Sequence, residues 1–337
     1  MFVLAGSLAV AALAVPAAAQ TPPIGPTGPS GTQPPGDVTT QRATANRPRA
    51  RITLHLSQGR DGDVHVGDRV TTRGIVRPFV AGQHVFVQIS RDGKTIKHRV
   101  LRVHRKRHMN AGGFRLRSDK VVKPGTYRVR AYHNRTARQQ HGTKVTKGFH
   151  PSYPNLGSGD RGADVTLFQQ LLSHEGYYTP HNGAYDSGLQ RAVLAFRKVN
   201  RMARTYDATP GIFKTLAGGH GGFNLRHPGA GRHVEVDISR QVMALANHRK
   251  AQYVFHVSTG APATPTITGH YHFYSRQPGY NSHGMYYSTY WHGGYAVHGY
   301  ASVPTYNASH GCVRTPIPNA VFIYNWIQLG ESIYTYY

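Results

Sequence analysis

The sequence predicts a multi-domain, mainly β chain: a β-sandwich, then a small three-helix bundle, then a second β-rich domain. Three observations carry this. Apolar residues alternate with period two from Arg51 to about Tyr132, shift to helical spacing between residues 153 and 218, and return to alternation from about Gly231 onward. The 337 residues accommodate two to four domains. Gly (38) and Pro (21) are plentiful, which favours strands and turns over long helices.

Residues 1–19, MFVLAGSLAVAALAVPAAA, read as a signal peptide. They contain an apolar run, a helix-breaking Pro16 and the small-residue exit Ala17-Ala18-Ala19, although no Lys or Arg precedes the run. The competing reading is a retained N-terminal anchor. Both readings place the rest of the chain outside the cytoplasmic membrane, in the cell wall or periplasmic space or secreted. Residues 20–49 are rich in Pro, Gly and Thr and nearly devoid of apolar side chains, which makes them a linker.

Residues 50–150 hold the short strands. RITLHLS sets Ile52, Leu54 and Leu56 on one face; QHVFVQIS does so with Val85, Val87 and Ile89. FRLRS and TYRVRAY follow, with Phe114 and Leu116, then Tyr127, Val129 and Ala131. Asp61-Gly62, Asp92-Gly93, Gly112-Gly113 and Pro124-Gly125 separate them as turns. The outward positions carry Arg115, Arg117, Arg128 and Arg130. The positive charge is concentrated in this module. Residues 42–150 contain 26 Lys and Arg against five Asp, a net of +21 out of +26 for the whole chain. Such a field attracts polyanions. Outside the membrane these are anionic wall polymers or lipid surfaces, not nucleic acid; a solvated basic face without a partner is the simpler alternative. The segment resembles the Ig-like modules of bacterial surface proteins, which implies a sandwich fold and a spacer role.

In residues 153–218, Val165, Phe168, Leu171 and Leu172 form one helical stripe ending at Gly176. Leu189, Val193, Phe196 and Val199 form another, with Asp186 or Ser187 as its cap. A third helix starts with Thr209 as cap and Pro210 at its first position. The pattern Gly183-x-Tyr185-Asp186 followed by Ala192-Val193-x-x-Phe196 resembles the peptidoglycan-binding domain of wall hydrolases.

Residues 231–337 hold the chemistry. From Ser239 to Gly330 there is no Asp or Glu. A glycosidase needs two carboxyl groups and a Ser-His-Asp triad needs one, so both are excluded within this stretch, with Glu235 and Asp237 just outside it. Cys312 is the sole cysteine, so no disulfide forms within the chain and the thiol is free for Cys-His chemistry. Two bases precede it. His298 sits in the strand-like YAVHGY, and His310 shares a face with Cys312 if the chain there is extended. A thiolate–imidazolium pair is the expected reactive form. Gly311 lets the backbone bend so that amides converge on an oxyanion. His270, His272, His283 and His292 raise a metal site as a second class, but their spacing fits no metal pattern and carboxylate ligands are lacking.

Val297-His298-Gly299 followed by Ser309-His310-Gly311-Cys312-Val313-Arg314 resembles the L,D-transpeptidase (YkuD-type) catalytic domain. The strand pair in VEVDISRQVMALANH, the VSTG turn and TPTITGHYHFYSR extend the likeness over residues 231–337. The resemblance implies roles. Cys312 would be the nucleophile and His298 the general base, its ring held by a main-chain carbonyl near Gly299. His310 and Gly311, with the Cys312 amide, would shape the oxyanion site. Ser309 would support the turn, and Arg314 would steady the loop or meet a substrate carboxylate. It also implies partners: peptidoglycan stem peptides and glycan, with inhibition by carbapenem-type β-lactams and no cofactor. The implied reaction releases D-alanine from a tetrapeptide stem and passes the acyl group to an amine, giving a 3→3 cross-link. Water as acceptor would make a carboxypeptidase, and a non-catalytic wall-binding protein is the non-enzymatic alternative.

Overall fold

The computed structural model describes residues 47–57 and 62–337. The predicted signal peptide lies outside the described residues, as does nearly all of the predicted linker. Among the described residues no helix is long and apolar enough to cross a membrane.

The first nine strands form two sheets. They are β1 (Arg51–Leu56), β2 (Asp63–His65), β3 (Arg69–Arg77), β4 (His84–Arg91), β5 (Lys94–Arg102), β6 (His104–Arg105), β7 (Gly112–Lys120), β8 (Tyr127–Tyr132) and β9 (Val145–Ser152). One sheet runs β1-β3-β7-β6 and the other β2-β9-β8-β4-β5. The alternating apolar positions read from the sequence, from Ile52 and Leu54 to Val129 and Ala131, are buried between them in one core. Arg115, Arg117 and Arg128 face solvent. Arg73 on β3 stands opposite Arg115 on β7, so like charges are neighbours across two strands. β5 is exposed on both faces and gives the core nothing apart from partly buried Leu101.

Three helices follow: α1 (Ala163–His174), α2 (Ser187–Val199) and α3 (Pro210–Ala217). Asp186 caps α2, its carboxylate accepting the Leu189 N–H at 3.0 Å, and Thr209 caps α3 ahead of Pro210. The bundle is not a free-standing bead. Its core of Phe168, Leu172, Phe196 and Phe213 runs without a break into Val242, Ala244, Ala251 and Val254 of the next domain. Gly176 makes the join. Its carbonyl accepts the Val254 N–H at 2.8 Å, and a Cβ there would lie 2.6 Å from the Ala251 carbonyl oxygen.

The remaining elements are β10 (Arg232–Asp237), β11 (Val242–Asn247), β12 (Lys250–His256), β13 (Gly269–His272), β14 (Ser275–Tyr280), β15 (Tyr286–His292), β16 (Tyr295–Tyr300), β17 (Val313–Pro316), α4 (Ile317–Trp326) and β18 (Ser332–Tyr336). They build a sheet ordered β12-β11-β10-β18-β13 and another ordered β14-β15-β16-β17. Val234, Val236, Met243 and Leu245 from the first meet Trp291, Val297 and Val313 from the second, with Ile323 and Trp326 of α4 completing the core. The connection from β16 to β17 is parallel and carries the Ser309–Arg314 motif.

Candidate active site

Strand β16 lies between β15 and β17, so its backbone is fixed on both sides. Successive residues face opposite ways. Gly299 faces α4 so closely that a Cβ would lie 2.7 Å from Ala320 Cβ and 3.2 Å from Ile317 Cδ1. His298 therefore faces away from α4. In the parallel register with β17, Val297 stands beside Val313 and His298 beside Arg314. Cys312 lies immediately before β17, at the end of the bend that leads into it. Its thiol donates to the Gly294 carbonyl at 3.5 Å, and the Ala296 amide lies beside the sulfur. The sulfur thus rests on the start of β16, two residues from His298. Cys312 is partly exposed, whereas His298 is 3% exposed.

The imidazole has one hydrogen-bond partner among the described residues: Nδ1–H donates to the Gly299 carbonyl at 2.9 Å. That bond places the proton on Nδ1 and leaves the Nε2 lone pair free. Among the described residues no carboxylate supports it. Glu235 is occupied by the Arg226 and His227 amides, His233 and Tyr336, and Asp237 by Arg240.

Burial pushes the His298 pKa down to about 4; the Gly299 carbonyl opposes this and Arg314 adds to it. Burial pushes the Cys312 thiol up, against weaker opposite pulls from the Ala296 amide and Arg314. Both shifts favour the neutral thiol and neutral imidazole over a thiolate–imidazolium pair, because desolvation penalises both charges.

The turn before Cys312 is bent, not extended. Gly311 has φ +117°, and a Cβ there would lie 2.6 Å from the Tyr295 ring. His310 is consequently exposed while Cys312 turns in toward β16, so the two do not share a groove through strand alternation. Ser309 staples the bend: its hydroxyl donates to the Cys312 carbonyl at 2.5 Å and accepts the Gly311 N–H at 3.1 Å. The Gly311 amide is therefore spent internally. The His310 and Cys312 amides have no protein acceptor among the described residues, which leaves them free to meet an oxyanion.

Several supporting residues carry no local motif in the sequence. The Thr259 carbonyl accepts the Ala308 and Ser309 amides, both at 2.9 Å. Thr266 Oγ1 accepts the Gly260 N–H and donates to the Gly311 carbonyl at 2.7 Å. Gln241 grips Thr259 through both ends of its amide, at 2.5 and 2.8 Å. Behind it, Lys198 of α2 donates to the Gln241 and Val257 carbonyls at 3.1 and 3.0 Å. Burial, with Arg204 adding to it, lowers this lysine's pKa to about 6. The Arg314 guanidinium lies 4.2 Å over the Tyr300 ring and has no carboxylate partner among the described residues. Of the metal alternative, His270 and His272 lie with ring centroids 4.9 Å apart, and His270 bonds Ser332. Among the described residues no group of three or more His, Cys, Asp or Glu is placed to hold a metal.

Comparison with known proteins bears on these segments separately. Residues 231–334 match the family model described as "L,D-transpeptidase catalytic domain", and residues 161–215 match the "Putative peptidoglycan binding domain". Among solved structures, the L,D-transpeptidase (residues 123–326) from Xylanimonas cellulosilytica is 29% identical, covers 55% of this chain and 98% of that one, and superposes with TM-score 0.51. An L,D-transpeptidase from Mycobacterium smegmatis is 13% identical over 86% of this chain and 99% of that one, with TM-score 0.29. One from Stackebrandtia nassauensis is 16% identical over 55% of this chain and 97% of that one, with TM-score 0.34. No curated protein sequence matches the chain.

Proposed function

With residues 231–334 in the L,D-transpeptidase catalytic domain family and a peptidoglycan-binding domain ahead of them, we propose that the chain is an exported L,D-transpeptidase that cross-links wall peptides through Cys312. One observation supports this reading: the Cys312 thiol lies against the Gly294 carbonyl and the Ala296 amide, at the start of the strand that carries His298, and the His298 tautomer leaves Nε2 free.

The resting pair is neutral, so the attack is general-base catalysed. As Sγ bonds the carbonyl carbon between the third residue and the terminal D-alanine, the thiol proton passes to His298 Nε2. The carbonyl oxygen gains the negative charge and meets the His310 and Cys312 amides. Collapse breaks the C–N bond, and the imidazolium returns its proton to the departing D-alanine amine. The acyl group is left as a thioester on Cys312. A side-chain amine of a neighbouring stem then attacks, loses a proton to His298 and receives the acyl group, while Cys312 leaves as the thiol. Gly299 sets the ring, Gly311 and Ser309 set the bend, and Arg314 offers an uncompensated cation to a stem carboxylate.

The peptidoglycan-binding domain holds the polymer near the site, and the basic sandwich is a spacer that also meets anionic wall polymers. The cell wall is the location that fits these partners. Incubation of the purified chain with tetrapeptide muropeptides tests the reading, with products separated by mass. Dimers cross-linked 3→3 and free D-alanine are expected. Tripeptide without dimer makes water the acceptor, and absence of D-alanine release overturns the proposal.

A further inference from the structure

Where the bundle meets the last domain there is a cleft of about 600 Å³ whose lining includes neither Cys312 nor His298. Lys198, Arg201 and Arg204 line it from the bundle side, and Arg226 and Arg240 from the other; Asp237 is its one carboxylate side chain. Arg240 is ion-paired with Asp237, whereas Arg201, Arg204 and Arg226 have no carboxylate side chain as partner among the described residues. Arg201 is exposed and has no carboxylate partner among the described residues. Arg204 donates only to the Thr305 and Ser239 carbonyls. Arg226 lies 3.9 Å over the Tyr336 ring and donates to the Tyr337 carbonyl. Arg240 stands 3.5 Å from Asp237, with its Nε buried and making no hydrogen bond.

Three exposed forks, those of Arg201, Arg204 and Arg226, around one concavity match carboxylates or phosphates, and a cleft lined mainly by one sign of charge focuses its field. One feature selects between those anions: Met202 and Leu225 give the cleft apolar walls suited to a peptide chain. We infer that this cleft binds a multiply carboxylated wall stem peptide as a second site, distinct from the one at Cys312. The identity of the ligand rests on the proposed function; the anion cleft itself does not. A second stem held there tethers the polymer across the seam between the two segments. Arg204 links the cleft to Thr305, in the loop that leads from His298 to the Cys312 turn.

Calorimetry with the full chain carrying Cys312→Ala, which binds stem peptide without turnover, tests this. Two sites per chain are expected for a soluble tetrapeptide stem. The added pair Arg201→Gln and Arg226→Gln removes one of them, weakening it by about tenfold or more. Amidation of the peptide carboxylates does the same with no change to the protein. Melting temperature reports whether the double variant is folded, and Arg201→Gln alone, at an exposed position, replaces it if it is not. Equal binding by the Arg variants, equal binding of the amidated peptide, or binding of a glycerol-phosphate oligomer in preference to the peptide overturns the inference. Carbapenem acylation of wild-type Cys312, read by mass, reports on the catalytic proposal separately, so failure of one is distinguishable from failure of the other.

Discussion

Acidification from pH 7 to 4 should weaken the fold through His298 by a calculable amount. Burial holds its pKa at about 4, against 6.5 for a free imidazole. Between those values the unfolded chain takes up a proton that the folded chain refuses, so stability falls as the pH drops through this window. At 1.36 kcal/mol for each pH unit, the full window costs about 3 kcal/mol. His256 and His133 are also depressed by burial and act with the same sign, so the wild-type slope alone does not isolate His298. The difference between wild type and His298→Asn does, because the other groups are common to both. Urea melts at pH 7, 5.5 and 4 should show wild type losing about 3 kcal/mol more than the variant. The same pKa sets the acid limb of acylation, with kcat/KM falling only near pH 4. The variant should lose about 10²-fold or more in rate at neutral pH. Parallel stability losses in the two proteins, or an acid limb near pH 6.5, would refute the neutral buried imidazole.

Three further substitutions probe how the site is held. Gly311→Ala places a methyl 2.6 Å from the Tyr295 ring at φ +117°, so it should cost about 1–3 kcal/mol in denaturant melts and abolish acylation by a carbapenem. Gln241→Ala leaves the Thr259 amide and Ile238 carbonyl unpaired in a buried setting. It should destabilise by about 1–3 kcal/mol per group and slow acylation more than it slows iodoacetamide alkylation of Cys312. Equal slowing would remove Gln241 from the positioning chain. Gly176→Ala pushes the bundle off β12, since its methyl meets the Ala251 carbonyl at 2.6 Å; the expected loss is about 1–3 kcal/mol with the bundle protons exchanging first in hydrogen exchange.

Much of the architecture is written locally. Ile52, Leu54 and Leu56, or Val85, Val87 and Ile89, alternate cleanly because each strand buries one face. Caps at Asp186 and Thr209 are legible because the capping side chain sits within three residues of the amide it serves. The S-H-G-C motif and the upstream His-Gly are likewise contiguous. What escaped is non-local. The bend at Gly311 answers to the Tyr295 ring, sixteen positions earlier, so strand alternation predicted a shared face for His310 that the chain does not adopt. The Gln241–Thr259–Ser309 chain links three separate segments. The union of bundle and last domain did leave a trace. VMALA in β11 is apolar at every position, the mark of a strand buried on both faces. The neutral resting state depends on desolvation, which only the assembled fold creates.

Intact mass of the protein after mixing with a tetrapeptide stem, quenched in acid, tests the central chemistry most directly. The expected result is a gain equal to the stem minus its terminal D-alanine, bound at Cys312, absent in Cys312→Ala and strongly reduced in His298→Asn. Release of D-alanine by Cys312→Ala, or a covalent adduct on any other residue, would contradict a thioester on this sulfur.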